Sequence, residues 1–109
     1  MTHIRGDTGA FKFQRLDMSG DPITSTPDAM FFTVKKSFSD NAYVLQKTLS
    51  DMTLKEDNFW HFVLEPGDTA SLAYGSYVYD IEVTADGYVK TIAKGKLMIE
   101  EESTWATNK

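Results

Sequence analysis

The most regular stretch of the chain runs from Tyr77 to Thr84, where Tyr77, Tyr79, Ile81 and Val83 alternate with Val78, Asp80, Glu82 and Thr84. A period of two, with one set apolar and the other largely polar, is the pattern of a half-buried β-strand. Ala85-Asp86-Gly87-Tyr88 follows. An Asp-Gly pair tolerates positive φ at both central positions of a tight turn, so Tyr88 to Lys94 is predicted to return antiparallel. Gly95 then interrupts the run before Lys96 to Glu101, and a lone glycine inside a strand pattern predicts a bulge or bend there.

The upstream half is built from shorter pieces. Phe11 to Leu16 ends at the turn-forming cluster Asp17-Met18-Ser19-Gly20-Asp21-Pro22, and Ile23 reopens an extended segment that Pro27 punctuates, which predicts a short hairpin. Ala29 to Lys36 and Tyr43 to Leu49 read as two further strands separated by the mostly polar Ser37 to Asn41. Phe59 to Glu65 places Trp60, Phe62 and Leu64 on one face and Phe59, His61 and Val63 on the other, the pattern of a central strand covered at least in part on both sides. Only Pro66 to Leu72 suggests helix, about one turn, with Asp68 placed to cap the amides that follow and Gly75 to stop it.

About seven short strands with turn residues roughly every ten positions is the pattern of a β-sandwich or small barrel. The segment from Glu65 to Ile81 sharpens this. A short turn there carries the chain between sheets, and Tyr77 opens the next strand where its hydroxyl can bond upstream backbone, as in the tyrosine corner of immunoglobulin-like sandwiches. The predicted fold is therefore an all-β, immunoglobulin-like antiparallel β-sandwich of about seven strands with one short helical turn. Its expected core is Phe13, Phe32, Val34, Leu45, Trp60, Phe62, Leu64, Leu72, Tyr77, Tyr79, Ile81 and Val83.

Composition narrows the function classes. At 109 residues the chain is read as one domain, 1–109, with an ordered core expected over about residues 5–104. Hydrophobic residues at 41% and aromatics at 13% suffice for a packed core. The net charge of -5, with 11 scattered basic residues, argues against nucleic acid as a partner. With no cysteine, disulfides, thiolate nucleophiles and cysteine-based zinc sites are excluded. No apolar run approaches signal-peptide or spanning length, so no membrane partner is expected and synthesis in the cytoplasm is.

Candidate chemistry is sparse. His3 and His61 lie on separate segments, one read as an N-terminal surface residue and the other as a strand residue, so neither a metal site nor an acid-base pair is expected. Gly75-Ser76 sits at the start of a strand rather than in a nucleophile elbow, and no catalytic residue is assigned. Asp17 to Asp21 resembles a fragment of a calcium loop, but Pro22 and Asp28 stand where an EF-hand needs glycine and Glu, and a plain turn fits better. Glu100-Glu101-Glu102 reads as a charged, aggregation-resistant edge. Arg5-Gly6-Asp7 is too short a motif to carry an adhesion role. Trp60, Tyr74, Tyr88 and Trp105 are the aromatics that a glycan-binding face would use, two of them together in one pocket being the feature to look for.

The order of Phe11-Lys12-Phe13, the Asp17 to Ile23 turn, Phe31-Phe32-Thr33-Val34-Lys35-Lys36, the Glu65 to Ile81 corner, Asp86-Gly87 and Thr91 to Leu97 resembles a known family. It is similar to the small immunoglobulin-like domains of tail and baseplate proteins in phages and prophages of Gram-positive bacteria, especially the N-terminal domain of baseplate upper proteins. The resemblance covers about residues 5–104 and implies a non-catalytic attachment module without cofactor. Its partners would be other phage structural proteins, with homo-oligomers possible, and its location a virion assembled in the bacterial cytoplasm. That family carries a helical stalk after the domain, and these 109 residues contain no such heptad pattern, which leaves trimerisation outside what the resemblance implies. The alternative expectation is a module for a host cell-surface glycan. No binding residue is assigned from sequence.

Overall fold

The computed structural model describes residues 1–101 and arranges eight strands in two sheets. In chain order these are β1 (Thr2–Ile4), β2 (Gly9–Phe13), β3 (Ala29–Lys35), β4 (Leu45–Thr48), β5 (Thr53–Leu54), β6 (Trp60–Leu64), β7 (Gly75–Ala85) and β8 (Tyr88–Glu100). A 3-10 turn at Leu49–Asp51 and one helical turn, α1 (Pro66–Thr69), complete the described elements. The larger sheet has the order β1-β8-β7-β3-β4 and the smaller β2-β6-β5. The smaller set matches the B, E and D strands of an immunoglobulin sandwich, and β8, β7, β3 and β4 match G, F, C and C′. The fold is thus an immunoglobulin-like β-sandwich, as the periodicity predicts, with β6 at the centre of its sheet. One pairing is not antiparallel, because β1 adds to β8 in parallel, Thr2 opposite Met98 through Ile4 opposite Glu100.

The alternation of side chains dictates what is buried. Met30, Phe32 and Val34 of β3, Tyr77, Ile81 and Val83 of β7, and Leu97 and Ile99 of β8 meet Trp60, Phe62 and Leu64 of β6 across the gap between sheets. The Phe32 and Phe62 rings lie 4.8 Å apart at its centre. Of the expected core, Phe13 and Tyr79 are only partly buried, while Met30, Met52, Leu97 and Ile99 join it. His3 is a correction: it is 6% exposed rather than a surface residue, since β1 begins at Thr2, before the expected ordered core. Its ring packs 5.9 Å from Phe11 and its Nε2 lies 3.1 Å from the Asp7 carbonyl oxygen. Gly9 makes room for that ring, since a Cβ there would stand 2.7 Å from His3 Cε1.

The turn chemistry is realised in detail. Asp86 and Gly87 have φ of 53° and 82°, as a two-residue hairpin of this type requires. The Tyr77 hydroxyl donates to the Ala73 carbonyl oxygen at 2.7 Å, forming the tyrosine corner. Asp68 caps in the direction opposite to expectation: its Oδ2 accepts from the Glu65 amide at 2.7 Å, behind it, and receives Lys47 Nζ at 2.7 Å. The expected hairpin across Leu16 to Ile23 is reduced to one bridge, Leu16 to Pro22, because β2 pairs with β6 instead. The irregularity expected at Gly95 lies elsewhere. Gly95 pairs regularly with Tyr79, whose ring would meet an added Cβ at 3.1 Å, and the bulge falls at Ile92.

Candidate interaction surface

The bulge decides what the far end of the β7–β8 hairpin presents. Ile81 pairs with Ala93 but Glu82 pairs with Thr91, so Ile92 is the extra residue and the side-chain alternation of β8 inverts beyond it. Lys90 now lies opposite Val83 and Tyr88 opposite Ala85, on the face that looks towards the core. That face outruns its cover: Val83 is buried, Ala85 half-buried and Tyr88 79% exposed.

Residues 14–28, the longest connection between described strands, lie against this overhang. Connections of more than about 12–15 residues without regular structure are uncommon in compact domains and tend to carry function. This one is ordered by its own bonds. Asp17 Oδ1 accepts from the Ser19 and Asp21 amides at 2.8 and 3.0 Å, and Arg15 Nη1 donates to the Ser25 carbonyl oxygen at 3.1 Å. Asp17 is thereby engaged as a turn former rather than as a calcium ligand, and no cluster of potential metal ligands occurs among the described residues.

Between the connection and the hairpin lies a cavity of about 410 Å³. Leu16, Ile23, Val83, Ala85 and Ile92 supply its apolar lining, and Tyr88 reaches it from the tip. Its charged lining is Arg15 and Lys90, without a carboxylate, in a chain whose net charge is -5. Leu16 in its wall is 53% exposed, Met18 in the turn that follows is 106% exposed, and Val89, opposite Thr84 on the other face of the hairpin, is 64% exposed. Periodicity shows none of this, because the surface depends on the bulge and on a long connection folding back. The Asp-Gly tip and the exposed Tyr88-Val89 pair after it are the features of the sequence that mark the place.

The other residues singled out in the sequence do not gather here. Trp60 is buried in the core and Tyr74 lies before β7, at the opposite end of that strand. Of the three candidate aromatics among the described residues Tyr88 alone lines the cavity, and Trp105 falls outside the described residues. Arg5 of the Arg-Gly-Asp tripeptide lies 4.2 Å over the Tyr74 ring and donates to its hydroxyl at 2.7 Å and to the Leu72 carbonyl oxygen at 3.3 Å. The adjacent Gly6 amide donates to the buried Thr69 hydroxyl at 2.9 Å. This tripeptide clamps the corner before β7.

On the outer face of the smaller sheet, His61 Nε2 lies 2.9 Å from Asp57 Oδ2, with Lys12 Nζ 3.5 Å from the same oxygen. The Asp57 carboxyl is held below its ordinary value of 3.8 by the Phe59 amide first, against some desolvation, and then by His61 and Lys12. Thr53 is the strand partner of His61 but no hydrogen bond joins them, so the nucleophile-to-base contact of a hydrolytic triad is missing among the described residues.

No protein-family model matches the chain, and no curated protein matches it. Among solved structures it is similar to CopC from Methylosinus trichosporium OB3b, with a TM-score of 0.42 and 19% identity over 72% of this chain and 68% of that one. A likeness at that distance carries no functional information.

Proposed function

We propose that the domain is a non-catalytic module that docks other proteins, as a structural component of a phage or prophage tail or baseplate, and that it docks through the loop end built from residues 14–28 and the β7–β8 tip. The observation that carries docking is the preformed cavity walled by apolar side chains, two of which, Leu16 and Tyr88, are largely exposed, with the exposed Met18 two residues after Leu16. Exposed apolar groups gathered at one place on a folded chain mark interaction sites, whereas scattered ones need no explanation. Loops on a rigid sandwich are also the usual place for recognition. The phage assignment is supported by the sequence resemblance, whose implied sandwich and corner are those of this fold.

The test is light scattering of the full chain, alone and mixed with the proteins encoded beside it. A defined co-complex is expected, lost when Tyr88→Ala and Val89→Asp are combined and kept in Tyr74→Ala at the opposite end. Absence of any co-complex, or one indifferent to the tip variant, would overturn the proposal. A tip that ignores those proteins but retains host cell-wall polysaccharide would replace it with glycan binding.

A further inference from the structure

We infer that the cavity at the β7–β8 tip receives the segment Glu100–Trp105 of a second copy of this chain, so that copies associate head to tail. The cavity states the chemistry of its occupant: apolar walls from Leu16, Ile23 and Ile92 call for an apolar anchor, and Arg15 and Lys90 call for carboxylates next to it. Its volume of about 410 Å³ lies in the range of sites that take a side chain or small ligand. A large aromatic beside acids fits that description, since aromatic anchors in pockets dominate interface energetics while charged partners set register and encounter rate.

The chain carries one such segment at the other end of the hairpin. Glu100-Glu101-Glu102-Ser103-Thr104-Trp105 places three carboxylates ahead of an indole. It leaves β8 at Glu100, whereas the cavity lies at the start of β8, Tyr88 to Ile92. From Ile92 to Glu100 a strand spans roughly 26 Å at 3.3 Å per residue. The five residue-to-residue steps from Glu100 to Trp105 span at most roughly 18 Å fully extended. Even fully extended and doubled back along β8, the backbone at Trp105 stops short of the cavity of its own chain, so the segment is assigned to that of another copy. Donor and acceptor surfaces are different patches, so the contact is heterologous, and it closes as a ring or a reciprocal pair or runs on as a filament.

The experiment is sedimentation velocity on the full chain from about 1 to about 100 μM, the range in which contacts of this kind are populated. The expected result is a mass that rises with concentration and falls back with added salt, with association weakened at least tenfold by either Trp105→Ala or Lys90→Glu. Mixing the two variants supplies one intact cavity and one intact segment, and should give a species of two chains and nothing larger. Retained near-ultraviolet circular dichroism of Lys90→Glu shows that it folds, and Trp105→Ala stands as the second variant should it fail. A monomer across the whole range, or association that survives Trp105→Ala, overturns the inference. Binding of a neighbouring phage protein by Trp105→Ala, measured in the same buffer, separates that failure from failure of the docking function, which needs the tip but not this segment.

Discussion

Replacing Tyr77 with Phe removes one oxygen from the corner and leaves the packing volume almost unchanged, so its effect isolates a single hydrogen bond. Tyr77 is buried, and its hydroxyl donates to the Ala73 carbonyl oxygen at 2.7 Å. A neutral hydrogen bond contributes about 0.5–1.5 kcal/mol net, and a carbonyl left buried without a donor costs about 1–3 kcal/mol. Ala73 is exposed, so water can replace the lost donor, and a loss of about 1–1.5 kcal/mol is expected. For a domain of this size that is a fall in Tm of roughly 4–8 °C per kcal/mol. Tyr79→Phe is the internal control: the same strand and the same chemistry, but a hydroxyl with no hydrogen bond among the described residues, and an expected change within about 0.5 kcal/mol. Urea unfolding followed by tryptophan fluorescence gives both values if the m-value stays constant. Equal midpoints for the two variants would refute the claim that the corner is held by its hydroxyl.

Other consequences follow from named contacts. Gly9→Ala pushes a Cβ to within 2.7 Å of the buried His3 ring and 2.9 Å of Phe11, and should cost about 1–3 kcal/mol in chemical denaturation; a neutral result would mean that β1 is not seated on β2 as described. Phe62→Ala, at the centre of the core, should cost about 3–5 kcal/mol, whereas Trp60→Phe should cost less because the buried indole Nε1 has no acceptor to lose; reversed melting temperatures would contradict the packing. Burial pushes the Asp68 carboxyl up, but the Lys47 ammonium and the Glu65 amide outweigh it, so its pKa lies below the ordinary 3.8. The folded state then holds fewer protons than the unfolded one. The stabilisation is complete above 3.8 and lost as pH falls through the lower native value. Asp68→Asn should flatten the acid limb of a melting-temperature profile, and parallel limbs would remove the pair from the acid response.

What the sequence disclosed was local. The β7 alternation, the Asp86-Gly87 turn and the Tyr77 corner each involve residues within a few positions of one another, so the pattern contains the interaction. The hidden elements are short or distant. β1 has three residues paired with the other end of the chain, and β5 has two, too few to show a period. His3 misleads because the cover it receives from Phe11 and Gly9 is invisible without the crossing between sheets. Gly95 misleads in the other direction. An empty Cβ position under the Tyr79 ring looks, in sequence, the same as a bulge. The candidate surface was illegible for a combined reason: its lining comes from two segments about seventy residues apart in the chain, aligned only after one strand has changed register.

That change of register gives the hairpin two phases. Towards Glu100 its alternation is locked to the core through Leu97 and Ile99, and any shift there would turn those side chains out. Beyond Ile92 the pairs run from the Asp86-Gly87 turn, and the bulge takes up the one residue left over between the two stretches. Deleting Ile92 would join Thr91 to Ala93 in an unbroken ladder, leave Lys90 opposite Val83 and Tyr88 opposite Ala85, and remove only the Ile92 side chain from the cavity wall. A lineage carrying this domain can therefore reshape one wall of the cavity by losing a single codon, while every pair of the hairpin on either side of it keeps its partner.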